Sequence, residues 1–114
     1  MTYTPRQTIE YEKLVRASYT ALSKVKFEKN IPLEISIVAL FSIPKSNSKK
    51  VKNLMLEGDI LPTKKPDGDN VIKIILDALN CVAYHDDAQV CRVCFEKKYA
   101  EIPGIKITIK EIIL

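Results

Sequence analysis

No stretch of this chain approaches the roughly 18 consecutive apolar residues of a membrane span. Its start, "MTYTPRQTIEYEK", lacks the apolar segment of a secretory signal. Both absences point to a soluble protein, expected in the cytoplasm. Histidine occurs once, as His85, which excludes catalysis by a histidine pair; His85 itself reads as a turn residue. Cysteine occurs three times, at 81, 91 and 94. So low and odd a count suits reduced thiols and excludes a disulfide framework. Internal repeats, low-complexity runs and linkers are also missing. The 114 residues therefore read as one domain, 1–114, able to bury a core without covalent staples.

Charge is abundant and unevenly placed. The net charge is +4, and the segment from Lys45 to Lys65 carries it, with six lysines (Lys45, Lys49, Lys50, Lys52, Lys64 and Lys65) against Glu57 and Asp59. The remaining twelve basic and twelve acidic residues balance. Such a basic segment is either a solvated surface or a track for a phosphate backbone.

The hydrophobic pattern gives the elements. Tyr11, Leu14, Val15, Ser18, Ala21, Leu22 and Val25 recur at helical spacing. Thr8 or Thr4-Pro5 can open that helix. Leu33 to Phe41 alternates and reads as a strand, ended by Pro44. "SNSKKVKNLMLEG" reads as a short basic helix with a serine cap and Gly58 as its stop. Asn70 to Asn80 is apolar around most of a helix, so it is expected to be largely buried. Its polar residues Asn70, Lys73, Asp77 and Asn80 form one stripe, which is either its solvent face or the lining of a cleft. Val90–Tyr99 and Ile105–Ile112 read as strands joined through Pro103-Gly104, expected as an antiparallel hairpin. The fold class that follows is α+β, helices packed against a small mixed or antiparallel sheet.

Two acidic pairs stand out. In "KPDGDN", Asp67 and Asp69 flank Gly68, which lets the backbone bend; Asp69 at the mouth of the apolar helix is a plausible cap. Asp86 and Asp87 precede the next strand. If that strand runs beside the helix, the pairs can meet at one end and hold a hard cation such as Mg²⁺, with Mn²⁺ as the alternative. Lys73, one turn from Asp69, can then stabilise charge on a phosphate. The bland alternative is solvated loop acids. An EF-hand does not fit, because Val71, Ile72 and Ala78 occupy its fifth, sixth and twelfth positions. Zinc at Cys81, His85, Cys91 and Cys94 does not suit residues three apart on a strand; Cys91 and Cys94 read as small core residues.

The run "KPDGDNVIKIILDALNCVAYHDDAQV" resembles the signature of the RusA family of Holliday junction resolvases, common in phages and prophages. Asp67, Asp69 and Asn70, then Lys73, then Asp77, Ala78 and Leu79, then Asp86 and Asp87 stand where that signature has its Asp-x-Asp-Asn, lysine, Asp-Ala-Leu and Asp-Asp. "TYTPRQTIEYEKLV" and "PTKKPDGDN" extend the likeness over nearly the whole chain. Gly68 departs from the larger residue common at its position. Family members usually carry a strand and a basic stretch before the "YTP" segment, so the sheet is expected to lack that strand. The resemblance implies a homodimeric, Mg²⁺-dependent endonuclease that resolves four-way DNA junctions by paired nicks in recombination and repair. It implies Asp67, Asp69 and Asp87 as metal ligands, Asp86 as a weaker one, and Lys73 as the catalytic lysine. The lysines at 45, 49, 50, 52, 64 and 65 would contact DNA phosphates. The competing readings are a junction- or DNA-binding protein without nuclease activity, and a protein-interaction module.

Overall fold

The computed structural model describes residues 15, 17, 19 and 25–113. Of the first expected helix, Val15, Ala17 and Tyr19 are helical, and apart from Val25 the rest of it, its two candidate caps included, lies outside the described residues. Val25, counted on its apolar face, is not helical and is 54% exposed.

Strand β1, Leu33–Ser42, alternates as its sequence demands: Leu33, Ile35, Ile37 and Ala39 are buried on one face. Two helices follow. Helix α1, Lys49–Glu57, begins at Ser48, whose side chain accepts from the Val51 amide, and stops at Gly58 with φ +86°. That left-handed turn suits a residue without a side chain, and the Gly58 and Asp59 amides close the last carbonyls. Helix α2, Gly68–Leu79, buries Val71, Ile74, Ile75, Ala78 and Leu79. A short 3₁₀ turn, Asp87–Gln89, leads into β2, Val90–Ala100, and then β3, Gly104–Glu111.

The sheet is mixed, in the order β2-β1-β3. β1 pairs with β2 in parallel and with β3 antiparallel. The expected β2–β3 hairpin is therefore not formed. The apolar alternation of β3 is used against β1, so β1 fills the centre and satisfies both its edges. Parallel pairing of β1 with β2 requires a crossover connection, and α1 and α2 lie within it. One core results, with Leu33, Ile35 and Ile37 of β1 packed with Val71, Ile75 and Leu79 of α2, and Ile105, Ile107 and Ile109 of β3 at its margin.

Two side chains fix the turn between α2 and β2. The buried Tyr84 hydroxyl donates to the Leu76 carbonyl at 2.8 Å. The Gln89 amide oxygen accepts from the His85 and Asp86 amides, and its nitrogen donates to the carbonyls of Glu28 and Ile31 at 2.8 and 3.1 Å. His85 is thus a turn residue held through its backbone. All three cysteines are free and exposed, which corrects the expectation that Cys91 and Cys94 are core residues. The register shifts by one residue between Leu33 and Glu34, opposite Cys91. Cys94 shares the Ser36 face of the sheet, opposite the one α2 covers.

Candidate functional site

A helix packed in a parallel crossover must run against its strands to return the chain to the start of the next one. α2 therefore begins near the C-terminal ends of β1 and β2 and finishes near the beginning of β2. Its first residue, Gly68, lies against the Phe95 ring, where a side chain would put its Cβ 3.0 Å from Cε2. This close approach, rather than backbone bending, is the reason for glycine between the two aspartates.

Asp67, and not Asp69, occupies the N-cap position of α2, yet its side chain caps nothing. Both of its oxygens instead accept from the Lys65 ammonium, at 2.8 and 3.0 Å. That hydrogen bond holds the Asp67 carboxyl below the ordinary aspartate range, with burial opposing and the charges of Lys65 and Lys97 assisting. The same bond raises Lys65. Asp69 stands in the first turn, exposed, with Oδ1 accepting from the Asn70 amide at 3.0 Å. Its negative charge there favours the helix dipole. Lys73 is exposed one turn further on, and Asn70, Asp77 and Asn80 are half-buried beside it. The polar stripe thus carries one exposed residue, Lys73, among three half-buried ones.

Asp86 and Asp87 lie at the other end of that stripe. Asp86 caps the 3₁₀ turn, accepting from the Ala88 amide at 2.9 Å in a reciprocal arrangement with Gln89. Asp87 is pushed above the ordinary aspartate range, first by burial, then by a hydrogen bond with Asp86 and the negative charges of Asp86 and Asp77. Asp77 therefore joins the second acidic group, a role its Asp-Ala-Leu context gave no reason to expect.

The two acidic pairs do not meet. The twelve residues of α2 span about 18 Å at an α-helical rise, and the pairs flank its two ends. Among the described residues, no group of three or more His, Cys, Asp or Glu could hold a metal ion. A hard divalent cation takes about six oxygen ligands, waters included, at about 2.0–2.6 Å. As a three-carboxylate centre within one chain, Asp67, Asp69 and Asp87 do not fit one. What the Asp67 end does show is a carboxylate holding a cation, the Lys65 ammonium, with a second carboxylate next to it.

The predicted phosphate-contacting lysines divide by element. Lys49, Lys50 and Lys52 sit in the first turns of α1, and Lys45 precedes its cap. Positive side chains at a helix N-terminus oppose the dipole, and no acid stands in that turn. Their placement works against helix stability and in favour of an anionic partner. Lys64 and Lys65 flank the acidic loop, where the structure adds two residues. Lys97 of β2 donates to the Lys64 carbonyl at 2.9 Å, and the ammonium groups of Lys64 and Lys97 lie 5.8 and 5.7 Å from the centre of the Phe41 ring. The sequence held a signal for Lys97: it is a lysine on the face of β2 that otherwise carries Phe95 and Tyr99.

Residues 1–110 match the family model described as endodeoxyribonuclease RusA. The chain is also 40% identical over 83 residues to the uncharacterized protein YqaN of Bacillus subtilis (strain 168), a match covering 71% of this chain and 58% of that protein. It thus spans little more than half the length of that relative. With the family's Asp-x-Asp-Asn loop at the mouth of a buried helix and the match running over nearly all its residues, the chain belongs to the RusA endodeoxyribonuclease family.

Proposed function

We propose that the protein is a structure-selective DNA endonuclease, a single domain over 1–114 that acts as a homodimer to resolve four-way junctions by paired nicks in recombination and repair. The observation that carries this is the Asp67 carboxylate. Placed where it would ordinarily cap a helix, it holds a cation with both oxygens instead, beside Asp69 and one turn from Lys73. A homodimer suits the near-twofold symmetry of a four-way junction. Mg²⁺, or Mn²⁺ in its place, is the proposed cation, with Asp67 and Asp69 of one subunit as its first ligands and, because the second pair stands at the far end of α2 in the same chain, Asp87 and the weaker Asp86 supplied by the other subunit of the homodimer. When bound, such an ion supplies Lewis-acid stabilisation of phosphoryl charge. Lys73, exposed on the same face of α2, neutralises charge developing on a phosphate oxygen. Lys45, Lys49, Lys50, Lys52, Lys64 and Lys65 bind backbone phosphates without sequence preference, which makes the affinity salt-sensitive. No helix among the described residues is long and apolar enough to cross a membrane, and the cytoplasm, where DNA is at hand, is the proposed location.

The test is cleavage of a synthetic four-way junction with Mg²⁺. Wild type is expected to nick symmetrically, and Asp69→Asn and Lys73→Met to lose activity by about 100-fold or more, the scale of a removed electrostatic catalyst. Asp87→Asn is expected to fall as far, and an undiminished rate in that variant removes the second acidic pair from the site. A second reading, a junction-binding protein without nuclease activity, draws on the separation of the two pairs across α2. It predicts salt-dependent junction binding with no nicking at any Mg²⁺ or Mn²⁺ concentration.

A further inference from the structure

Lys97 is not oriented as a surface lysine ordinarily is. Such a side chain lays its stem on the protein and extends its charge into water. The Lys97 residue is instead half-buried, with its ammonium turned onto the Phe41 ring and bonded to the Lys64 carbonyl. Lys64 brings a second ammonium to the same ring. Among the described residues, no carboxylate lies within ion-pair distance of either. The nearby acid, Asp67, is already occupied by Lys65. A ring face and a carbonyl supply partial negative charge, which holds each cation in place without neutralising it. Two like charges gathered on one aromatic ring, with no acid of their own among the described residues, are arranged for an anion that can take donors from both. Because the ring and the carbonyl already order Lys97, little side-chain freedom is lost when that anion arrives.

The position fits the backbone of a nucleic acid. Phe41 and Lys97 lie toward the C-terminal ends of two parallel strands, beside the start of α2 and its two aspartates. In open sheets with parallel strands, this is where ligands gather. We propose that Lys97 and Lys64, held on Phe41, form a clamp for one backbone phosphate of the DNA strand, adjoining the Asp67–Asp69 loop. The inference rests on the nuclease reading for its ligand and adds Lys97 and Phe41 to the contact surface. It assigns them to substrate binding rather than to the chemical step.

The experiment measures binding of the full chain to a labelled four-way junction in EDTA, over a series of salt concentrations. Lys97→Met is expected to weaken binding about 5- to 10-fold and to reduce the slope of log K against log salt by about 0.9, the value for one released phosphate contact. Lys97→Arg keeps the slope, and Phe41→Leu, which leaves both charges, weakens binding with little change in slope. Lys106→Met, an exposed lysine on β3, serves as the control. Circular dichroism confirms that each variant is folded. A wild-type affinity and slope in Lys97→Met overturns the proposal. So does a Lys97 side-chain NMR signal that shifts with inorganic phosphate alone while junction binding stays as in wild type, since the ligand is then a free anion. The two readings fail separately: a wild type that binds junctions without nicking them sinks the nuclease while leaving the clamp, and nicking with an unchanged salt slope does the reverse. A wild type that binds no DNA at low salt ends both.

Discussion

Glu34 shows what one well-placed charge does in this fold. Its side chain lies on the sheet face opposite the one α2 covers and is only 11% exposed, accepting from Arg92 of β2 at 3.2 Å and from Lys110 of β3 at 3.1 Å. A single carboxylate thus ties all three strands. The hydrogen bond from Lys110, then that from Arg92, holds its pKa below the ordinary glutamate value, with burial opposing. A carboxyl whose pKa is lower folded than unfolded contributes stability that is complete above the unfolded value, about 4.3, and is lost as pH falls through the folded one. Thermal melts of wild type should therefore lose stability below about pH 4.5, the unfolded range. Glu34→Gln should melt lower at pH 7 and show a shallower acid dependence; an identical acid slope in the variant would refute the assignment. At this scale the sequence marked the acids well and their jobs less well. Asp69 was the expected cap, but Asp67 holds the cap position and Asp86 is the aspartate that caps with its side chain. Two residues of register decide which carboxylate meets which amide, and spacing does not resolve a shift that small.

The helices were the most legible elements, because their signals are local. Ser48 and Gly58 bracket α1 as cap and stop residues do anywhere, and the apolar circumference of α2 announces its burial. Ile75, at the centre of α2, is fully buried against Leu33, Ile35 and Ile37. Ile75→Ala should lower the unfolding free energy by about 2–5 kcal/mol, through lost transfer energy and the cavity left behind. That is a large share of the roughly 5–15 kcal/mol of an ordinary domain, and a urea melt would read it as a lower midpoint at unchanged slope. The strands were legible as strands but not in their pairing. Alternation in β2 and β3 is the same whether they pair with each other or each with β1. The cysteines were misplaced for a related reason, since a strand pattern says which residues share a face and leaves open which face is covered.

For the molecule as a whole, the central place of β1 has a measurable consequence. Its residues are paired on both edges, with β2 along one and β3 along the other, while among the described residues the neighbours are paired along one. Amide exchange should be slowest in Leu33–Leu40 and faster on the outer edges of β2 and β3, as expected of a core strand that opens only with global unfolding. Equal protection in all three strands would contradict the order β2-β1-β3. The same topology settles the larger question raised by the two acidic pairs. The residues by themselves determined the α+β class, both described helices, the loop that carries Asp67 and Asp69, the basic segment and the family, because periodicity, caps and motif order are properties of neighbouring residues. Only the tertiary structure decided that β1 pairs in parallel with β2. The crossover this pairing demands turns α2 against the strands, so that Asp67 and Asp69 stand at one end of the helix and Asp86 and Asp87 at the other. It also brought Lys97 to Phe41 and Lys64, residues far apart in the chain that meet because adjacent parallel strands carry their side chains in register.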